Sequence, residues 1–425
     1  MTAIAAPGPR TGRVTIPASK SQAHRLLICA ALGREPVELV CGGPSADILA
    51  TANCLNALGA DIQQTAPDRF SVRPIAAAPG TAAQLACGES GSTLRFLLPL
   101  VGALGAEGTF AMEGRLPQRP LAPFDAVLKE HGMTLEQEGS LLRCGGRLRP
   151  GEYTLPGNVS SQYISGLLMA LPRLEGDSTL TVTGPMESAG YVAMTEDALR
   201  LSGIRFTRDG LSWRIPGGQS CRLPGLCRVE GDWSNASYLV AAGALGRQEV
   251  RVTGLSATSL QGDRALLDIL SRMGASLKPC DGGVSVTPAP LHGITADMSA
   301  CPDLVPTIAA VAAFADGPTT ITNVAHLRIK ESDRLRAPAR ALARIGVSVD
   351  EHDVGLTIHG LGSQARIRIG DTVFEGCNDH RMVMSEALFS LRSDDVRPDG
   401  IRAHIDTPGA VNKSFPEFWH TWESF

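Results

Sequence analysis

The sequence predicts an α/β protein of six modules, grouped as two pseudo-symmetric domains of three. Two recurring marks carry that expectation. The first is a small polar or acidic residue leading into a nearly all-apolar helical stretch. It occurs at Ser19, Ser90, Ser160, Ser234, Asp303 and Asp379, with separations of 71, 70, 74, 69 and 76 residues. The second is a helical segment that ends in glycine and runs into a strand-like segment. Its glycines are Gly59, Gly132, Gly203, Gly274 and Gly346, separated by 73, 71, 71 and 72 residues. Two separate marks with one period identify a repeat, and about 71 residues is too long for the small solenoid units.

Within a module each element has a local cause. A Ser or Asp side-chain oxygen caps an orphan amide of the first helical turn. The helix that follows is apolar nearly all round and is expected to be buried. The second helix mixes charge with an apolar stripe, as in DRALLDILSRMG and ESDRLRAPARALARIG, and is expected to cover an outer face. Its glycine suits a left-handed cap before the chain turns into a strand. Strands follow from β-rich runs such as TLTVTG, VRVTG and TTITN. The expected domains are residues 16–229 and residues 1–15 with 230–425, because the sixth module runs out of chain before its own strands are complete. Buried helices lying side by side bring their N-termini to one face, each with about half a positive charge and unpaired amides. Such a face attracts anions.

Composition narrows the function. The 425 residues are 43% hydrophobic and 19% charged, with a net charge of −4, which speaks against a general nucleic-acid binder. Aromatics at 4% are too sparse for base-stacking platforms. Ten scattered cysteines without a CxxC pair read as reduced, mostly buried thiols. The first thirteen residues hold no apolar core of signal-peptide length, and no stretch reaches membrane-span length. A cytoplasmic protein with no membrane contact is expected. No metal-ligand spacing is found, and no metal or other cofactor is expected. Of 39 basic residues only five are lysines: Lys20, Lys129, Lys278, Lys330 and Lys413.

Three of those lysines fall in the segments that gather charge at the helix starts. These segments read PASKSQAHR, GESGSTLRF, QRPL at 118–121, NVSSQY, CPDLVPT, HLRIKESDRLR, CNDHRMVM and NKSFPEFW. In this order, from Lys20 to Lys413, they closely resemble the EPSP synthase family of enolpyruvyl transferases. The resemblance implies two domains of three βαβαββ units each, an inside-out α/β barrel with its active site in the interdomain cleft. It implies transfer of the enolpyruvyl group of phosphoenolpyruvate to shikimate 3-phosphate, with phosphate released through a tetrahedral intermediate. The implied partners are these two small molecules alone, acting on a monomer. The family's inhibitor glyphosate occupies the phosphoenolpyruvate site.

That chemistry explains the residue demand. Each substrate carries a carboxylate and a phosphate, which guanidinium forks recognise. By resemblance, Lys20, Gly91, Arg119, Gln162, Arg334, Arg381 and Lys413 match the phosphoenolpyruvate positions. Lys20, Ser21, Arg25, Ser160, Ser161, Gln162, Ser188, Asp303 and Lys330 match the shikimate 3-phosphate positions, and Tyr191 lies close by in sequence. Asp303 matches the base on the substrate hydroxyl. Glu331 and Lys20 match groups tied to proton transfer at the methylene carbon and to the departing phosphate. His326 stands where many members carry asparagine.

Plainer readings apply to some neighbours. Arg25 and Arg95 lie in apolar helices, where an unpartnered guanidinium is costly, so a ligand or carboxylate partner is expected. Arg95 reads as structural and His380 as a core histidine. Asp333 reads equally as a structural residue, capping its helix or pairing with a neighbouring arginine, and as a substrate contact. GESGST lacks the third glycine of a dinucleotide fingerprint. Two rival functions are a UDP-N-acetylglucosamine enolpyruvyl transferase and a non-catalytic anion-binding repeat protein. The first typically carries a cysteine in the loop where this chain has Gly114-Arg115-Leu116-Pro117, and the second gives lysine, aspartate and glutamate no reason to converge.

Overall fold

The computed structural model describes residues 3–4, 10–370, 372–393 and 404–425. The chain divides into two compact units, residues 18–229 and residues 230–425 with the N-terminal segment up to Pro17.

The unit of residues 18–229 contains helices α1 (Lys20–Ala31), α2 (Ala46–Ala57), α3 (Gly91–Leu104), α4 (Phe124–Glu130), α5 (Ser161–Ala170) and α6 (Ala189–Leu201). Its strands form three four-stranded sheets of one design: a parallel pair, then two antiparallel neighbours. In the second sheet, Ala83–Gly88 pairs parallel with Gly108–Met112 across α3, and Leu141–Gly146 and Met133–Glu138 follow antiparallel. The third sheet repeats this around α5. The first takes its leading strand, Leu226–Arg228, from the far end of the unit, where it pairs parallel with Val37–Val40.

The other unit contains α7 (Trp233–Leu245), α8 (Leu266–Arg272), α9 (Val305–Ala312), α10 (Arg336–Arg344), α11 (His380–Glu386) and α12 (Phe418–Ser424). Two of its sheets follow the same four-stranded design. The strand Gly12–Thr15 leads the first of them, parallel to Val250–Thr253. A third sheet joins Ala3–Ile4, His404–Ile405 and Val373–Phe374.

The helices start largely as the sequence reading expects. Ser19, Ser90 and Ser160 accept from the amides of Gln22, Thr93 and Gln162 at 3.4, 3.2 and 3.3 Å. Asp379 accepts from the Arg381 amide at 3.0 Å. Two starts differ. Asp232, not Ser234, caps α7, accepting from the Asn235 amide at 2.8 Å. Asp303 does not stand at the cap position of α9: it lies in the 3-10 turn Pro302–Leu304 that precedes the helix, and its carboxylate accepts from arginines. The five periodic glycines have φ of 102, 99, 74, 97 and 82°, the left-handed region that a C-terminal cap requires.

The apolar helices are buried as expected. Leu27, Leu97, Leu98 and Leu167 are fully covered in one unit, and Leu239, Ile308 and Val383 in the other. Inside α3, Pro99 cannot donate to the carbonyl of Arg95 four residues earlier. A Cβ on Gly166 of α5 would lie 2.4 Å from that oxygen, so only glycine lets α5 approach it. Among the described residues no helix is long and apolar enough to cross a membrane.

Candidate active site

In the unit of residues 18–229, the N-terminal turns of α1, α3 and α5 come together. Gln162 Nε2 donates to Ser92 Oγ at 2.9 Å, and Arg95 Nη1 donates to Gln162 Oε1 at 2.9 Å. A Cβ placed on Gly91 would meet Arg95 Nη1 at 2.5 Å and Arg119 Nη1 at 3.0 Å. Gly91 is therefore bracketed by two guanidinium groups. Arg95, read from sequence as structural, sits at the same point as Gly91, Arg119 and Gln162. Sequence holds no signal for this beyond an arginine placed four residues into a capped helix.

Lys20 opens α1, and its Nζ lies 2.8 Å from Asp47 Oδ2. Asp47 is a partner that sequence reasoning missed, since an acidic residue in a first helical turn is ordinary. Arg25 is 2% exposed. Its Nε donates to Thr195 Oγ1 (2.7 Å), Nη1 to the Ser21 carbonyl (2.6 Å), and Nη2 to the Tyr191 carbonyl (2.8 Å) and Ser165 Oγ (3.4 Å). Of the two partners expected for Arg25, a ligand or a carboxylate, the carboxylate is not among these; hydroxyls and carbonyls accept from its fork. Burial without a counter-charge pushes its pKa down to about 10, which still leaves it cationic at neutral pH. Its guanidinium also lies 5.0 Å from the Phe96 ring centroid. Ser161 opens α5 beside its cap Ser160, and Ser188 precedes α6 with φ of 53°, an uncommon conformation for a non-glycine residue.

A buried relay ties these helix ends together. His24 Nδ1 and Thr51 Oγ1 are 2.7 Å apart, Thr51 and Thr93 hydroxyls 2.7 Å, and Thr93 donates to Ser90 Oγ at 2.7 Å. Burial and the charges of Lys20 and Arg25 push the His24 pKa well below its ordinary value, so the ring is neutral.

The second unit interleaves carboxylates with cations. Asp303 accepts from Arg334 Nη1 at 2.9 Å and from Arg381 Nη2 at 2.7 Å. Arg334, 2% exposed, also grips Asp379 through Nε at 2.8 Å and Nη2 at 3.1 Å. Glu331 Oε2 lies 2.7 Å from Arg334 Nη2, and Ser332 donates to Asp379 at 2.8 Å. Asp379 thus caps α11 and anchors Arg334 at once. Lys413 Nζ donates at 2.5 Å to the carbonyl of Asn378, the residue before Asp379. Lys330 and His326 complete the group: both act electrostatically on Asp303 or on each other.

Burial by itself would raise the Asp303 carboxyl. The charges of Arg381, Arg334 and Lys330 outweigh it and hold Asp303 well below the usual carboxylate range. Burial, then Asp303, push nearby Asp263 up to about 7. Burial and Lys330 push His326 down to about 4, leaving it neutral. Burial opposes the charge on Arg334, yet Asp379, Glu331 and Asp303 hold its pKa above the ordinary value. Asp333 fills both of the structural roles expected of it, accepting from the Leu335 and Arg336 amides at 3.1 Å and from Arg328 at 3.2 Å. His380 is buried, 3.8 Å from the Asp379 carboxylate.

Capped helices and repeated sheets of this design are shared with solved enolpyruvyl transferases. Among solved structures the chain is similar to the EPSP synthase of Acinetobacter baumannii, with a TM-score of 0.81 at 24% identity over 99% of this chain and 97% of that one. It is also similar in fold to the enolpyruvyl transferase NikO of Streptomyces tendae, with a TM-score of 0.77 at 18% identity over 98% and 95% of the two chains. The family model for EPSP synthase (3-phosphoshikimate 1-carboxyvinyltransferase) matches residues 4–422, and the chain belongs to that family. Relatives named 3-phosphoshikimate 1-carboxyvinyltransferase include one from Clostridium acetobutylicum, 39% identical over 96% of this chain and 93% of the relative. Another, from Clostridium kluyveri, is 39% identical over 97% and 94%.

Proposed function

We propose that the chain is a transferase that moves the enolpyruvyl group of phosphoenolpyruvate to the 5-hydroxyl of shikimate 3-phosphate, a step of aromatic amino acid biosynthesis. The observation that carries this reading is the family match over nearly the whole chain. The residues support it with a division of roles. Arg119, Gly91 and Gln162 of one unit, with Arg334, Arg381 and Lys413 of the other, serve phosphoenolpyruvate. Ser21, Arg25, Ser160, Ser161, Gln162 and Ser188, with Asp303 and Lys330, serve shikimate 3-phosphate, and Lys20 serves both. The enzyme works as a cytoplasmic monomer.

Asp303 takes the proton of the attacking hydroxyl as the new C–O bond forms. Lys20 gives a proton to the methylene carbon and so completes the tetrahedral intermediate. In the second step the C–O bond to phosphate breaks as a methyl proton leaves to Glu331 and the C=C bond re-forms; the two protons taken up by Asp303 and Glu331 then restore the charge on Lys20, which balances the phosphate charge, and protonate the departing phosphate. The arginine pair on Asp303 gives this sequence an order. A carboxylate or phosphate arriving on Arg334 and Arg381 competes with Asp303 for their N–H groups. Binding of phosphoenolpyruvate thereby makes Asp303 a stronger base at the moment it is needed.

The test is phosphate release from phosphoenolpyruvate with shikimate 3-phosphate or UDP-N-acetylglucosamine as acceptor. Release with the first alone is expected. Absence of release with shikimate 3-phosphate overturns the reading.

A further inference from the structure

Cys29 of α1 and Cys221, in the segment after the third sheet, lie far from each other in sequence but share one buried place. They are 1% and 3% exposed. The Cys221 amide donates to the Leu32 carbonyl at 3.4 Å, and the Arg222 amide to the Ser202 carbonyl at 2.7 Å, so this segment is stitched to the ends of both α1 and α6. A Cβ on Gly33 would lie 3.5 Å from the Cys221 carbonyl oxygen and 3.7 Å from that of Cys29. The two backbones therefore run close together. The Cys29 thiol donates to the Ala198 carbonyl at 3.9 Å, and the two thiols and the Ser202 hydroxyl influence one another electrostatically. Both cysteines line a cavity of about 340 Å³, together with Gly33, Arg34 and Arg222. That volume accommodates several water-sized molecules.

We propose that Cys29 and Cys221 form a redox-active dithiol, closed to an intramolecular disulfide by a two-electron oxidant of the peroxide class. The asymmetry of the pair sets which sulfur reacts first. Hydrogen bonds from Cys29 and Ser202, with the charge of Arg173, bring the Cys221 thiol below its ordinary value, while Cys29 is held well above its own. A thiolate stabilised by a neighbouring thiol and an arginine is the arrangement of reactive cysteines. The Cys221 thiolate attacks the peroxide oxygen; the O–O bond breaks, hydroxide leaves, and a sulfenic acid forms. The Cys29 sulfur then attacks the sulfenic sulfur. The S–S bond forms, the S–O bond breaks, and the Cys29 proton leaves with the hydroxyl as water. Peroxide is reduced and the dithiol oxidised by two electrons. Closure tethers the last turns of α1 to the segment around Cys221, one helical turn beyond Arg25.

The molecule holds its own comparison. Cys54 and Cys87 also lie near each other, but burial pushes both thiols up to about 12. Cys377 is exposed and reports whether the oxidant has acted.

The experiment treats the reduced full-length enzyme with hydrogen peroxide and maps its peptides without reduction. Expected are a peptide linked through Cys29 and Cys221 and the loss of two thiols of this pair from the ten. Dithiothreitol should restore both. The thermal midpoint should rise by several degrees on oxidation, and neither change should appear in C29S or C221S. Should a variant not fold, the peptide map of the unsubstituted enzyme decides alone. Oxidation at Cys377 with no Cys29–Cys221 link, or a link between Cys54 and Cys87 instead, overturns the proposal.

Discussion

Lys20 shows how a single residue is tuned by its neighbours. It is half of an ion pair with Asp47, with both side chains about six-sevenths covered, and it opens a capped helix whose amides point the same way. Lys129, by contrast, is half exposed and lies a loose 3.9 Å from Asp125. Scarcity of lysine made the positions conspicuous in sequence, but only the pairing distinguishes a working amine from a solvated one. Lys20→Ala should lower kcat on the order of 100-fold while leaving the thermal midpoint nearly unchanged, because it removes one placed donor from a charged site. Phosphate-release kinetics and a thermal melt check both parts. At Gly91 an added methyl meets Arg95 and Arg119, at 2.5 and 3.0 Å. Gly91→Ala should raise the KM for phosphoenolpyruvate by roughly 10-fold or more, with a smaller change for shikimate 3-phosphate. Initial rates against each substrate measure the difference, and weaker inhibition by glyphosate should accompany it.

At the scale of elements, the relative placement of α1, α2 and α3 rests on the His24–Thr51–Thr93–Ser90 relay. Thr51→Val keeps the shape but leaves two buried partners unmet, at a cost of about 1–3 kcal/mol. Thr51→Ser keeps the hydroxyl and should regain most of that loss. Urea unfolding of the two variants side by side tests it. The α3–α5 contact is governed by Pro99 and Gly166 together, since the carbonyl freed by proline is the atom that glycine allows close. Gly166→Ala should destabilise by about 1–3 kcal/mol through overpacking, and should lower activity by loosening the Ser92–Gln162 bond. The six buried helices were legible because periodicity and capping are local. Their starts were less so: Asp232 displaces Ser234 at α7 because a β-region residue with a carboxylate two positions earlier competes for the same amides.

At the scale of the molecule, the net charge of −4 hides a marked separation. Cations gather at the helix starts around Gly91, and carboxylates and arginines interleave around Asp303. The arrangement has a consequence for pH. Asp263 has an ordinary value of 3.8 and a folded value of about 7. Between those values the unfolded chain has given up this proton while the folded chain keeps it. The folded state therefore binds more protons, and this residue's contribution to stability falls as pH rises from about 4 to about 7. Asp263→Asn should flatten the stability profile across that window, as read by urea midpoints at several pH values. An unchanged slope would remove Asp263 as its source.

Sequence by itself determined the repeat and the family, which are patterns along the whole chain, and four of the six caps and the left-handed glycines, which depend on residues within a turn or two of one another. It also marked where charge gathers, since helix starts are visible in a one-dimensional pattern. It could not assign partners. Lys20 with Asp47, Arg95 with Gln162, Arg25 with Thr195, and Asp303 held between Arg334 and Arg381 all join segments from tens to over a hundred residues apart. Which of these meet is decided by how the helices pack, and packing is a property of the folded chain as a whole.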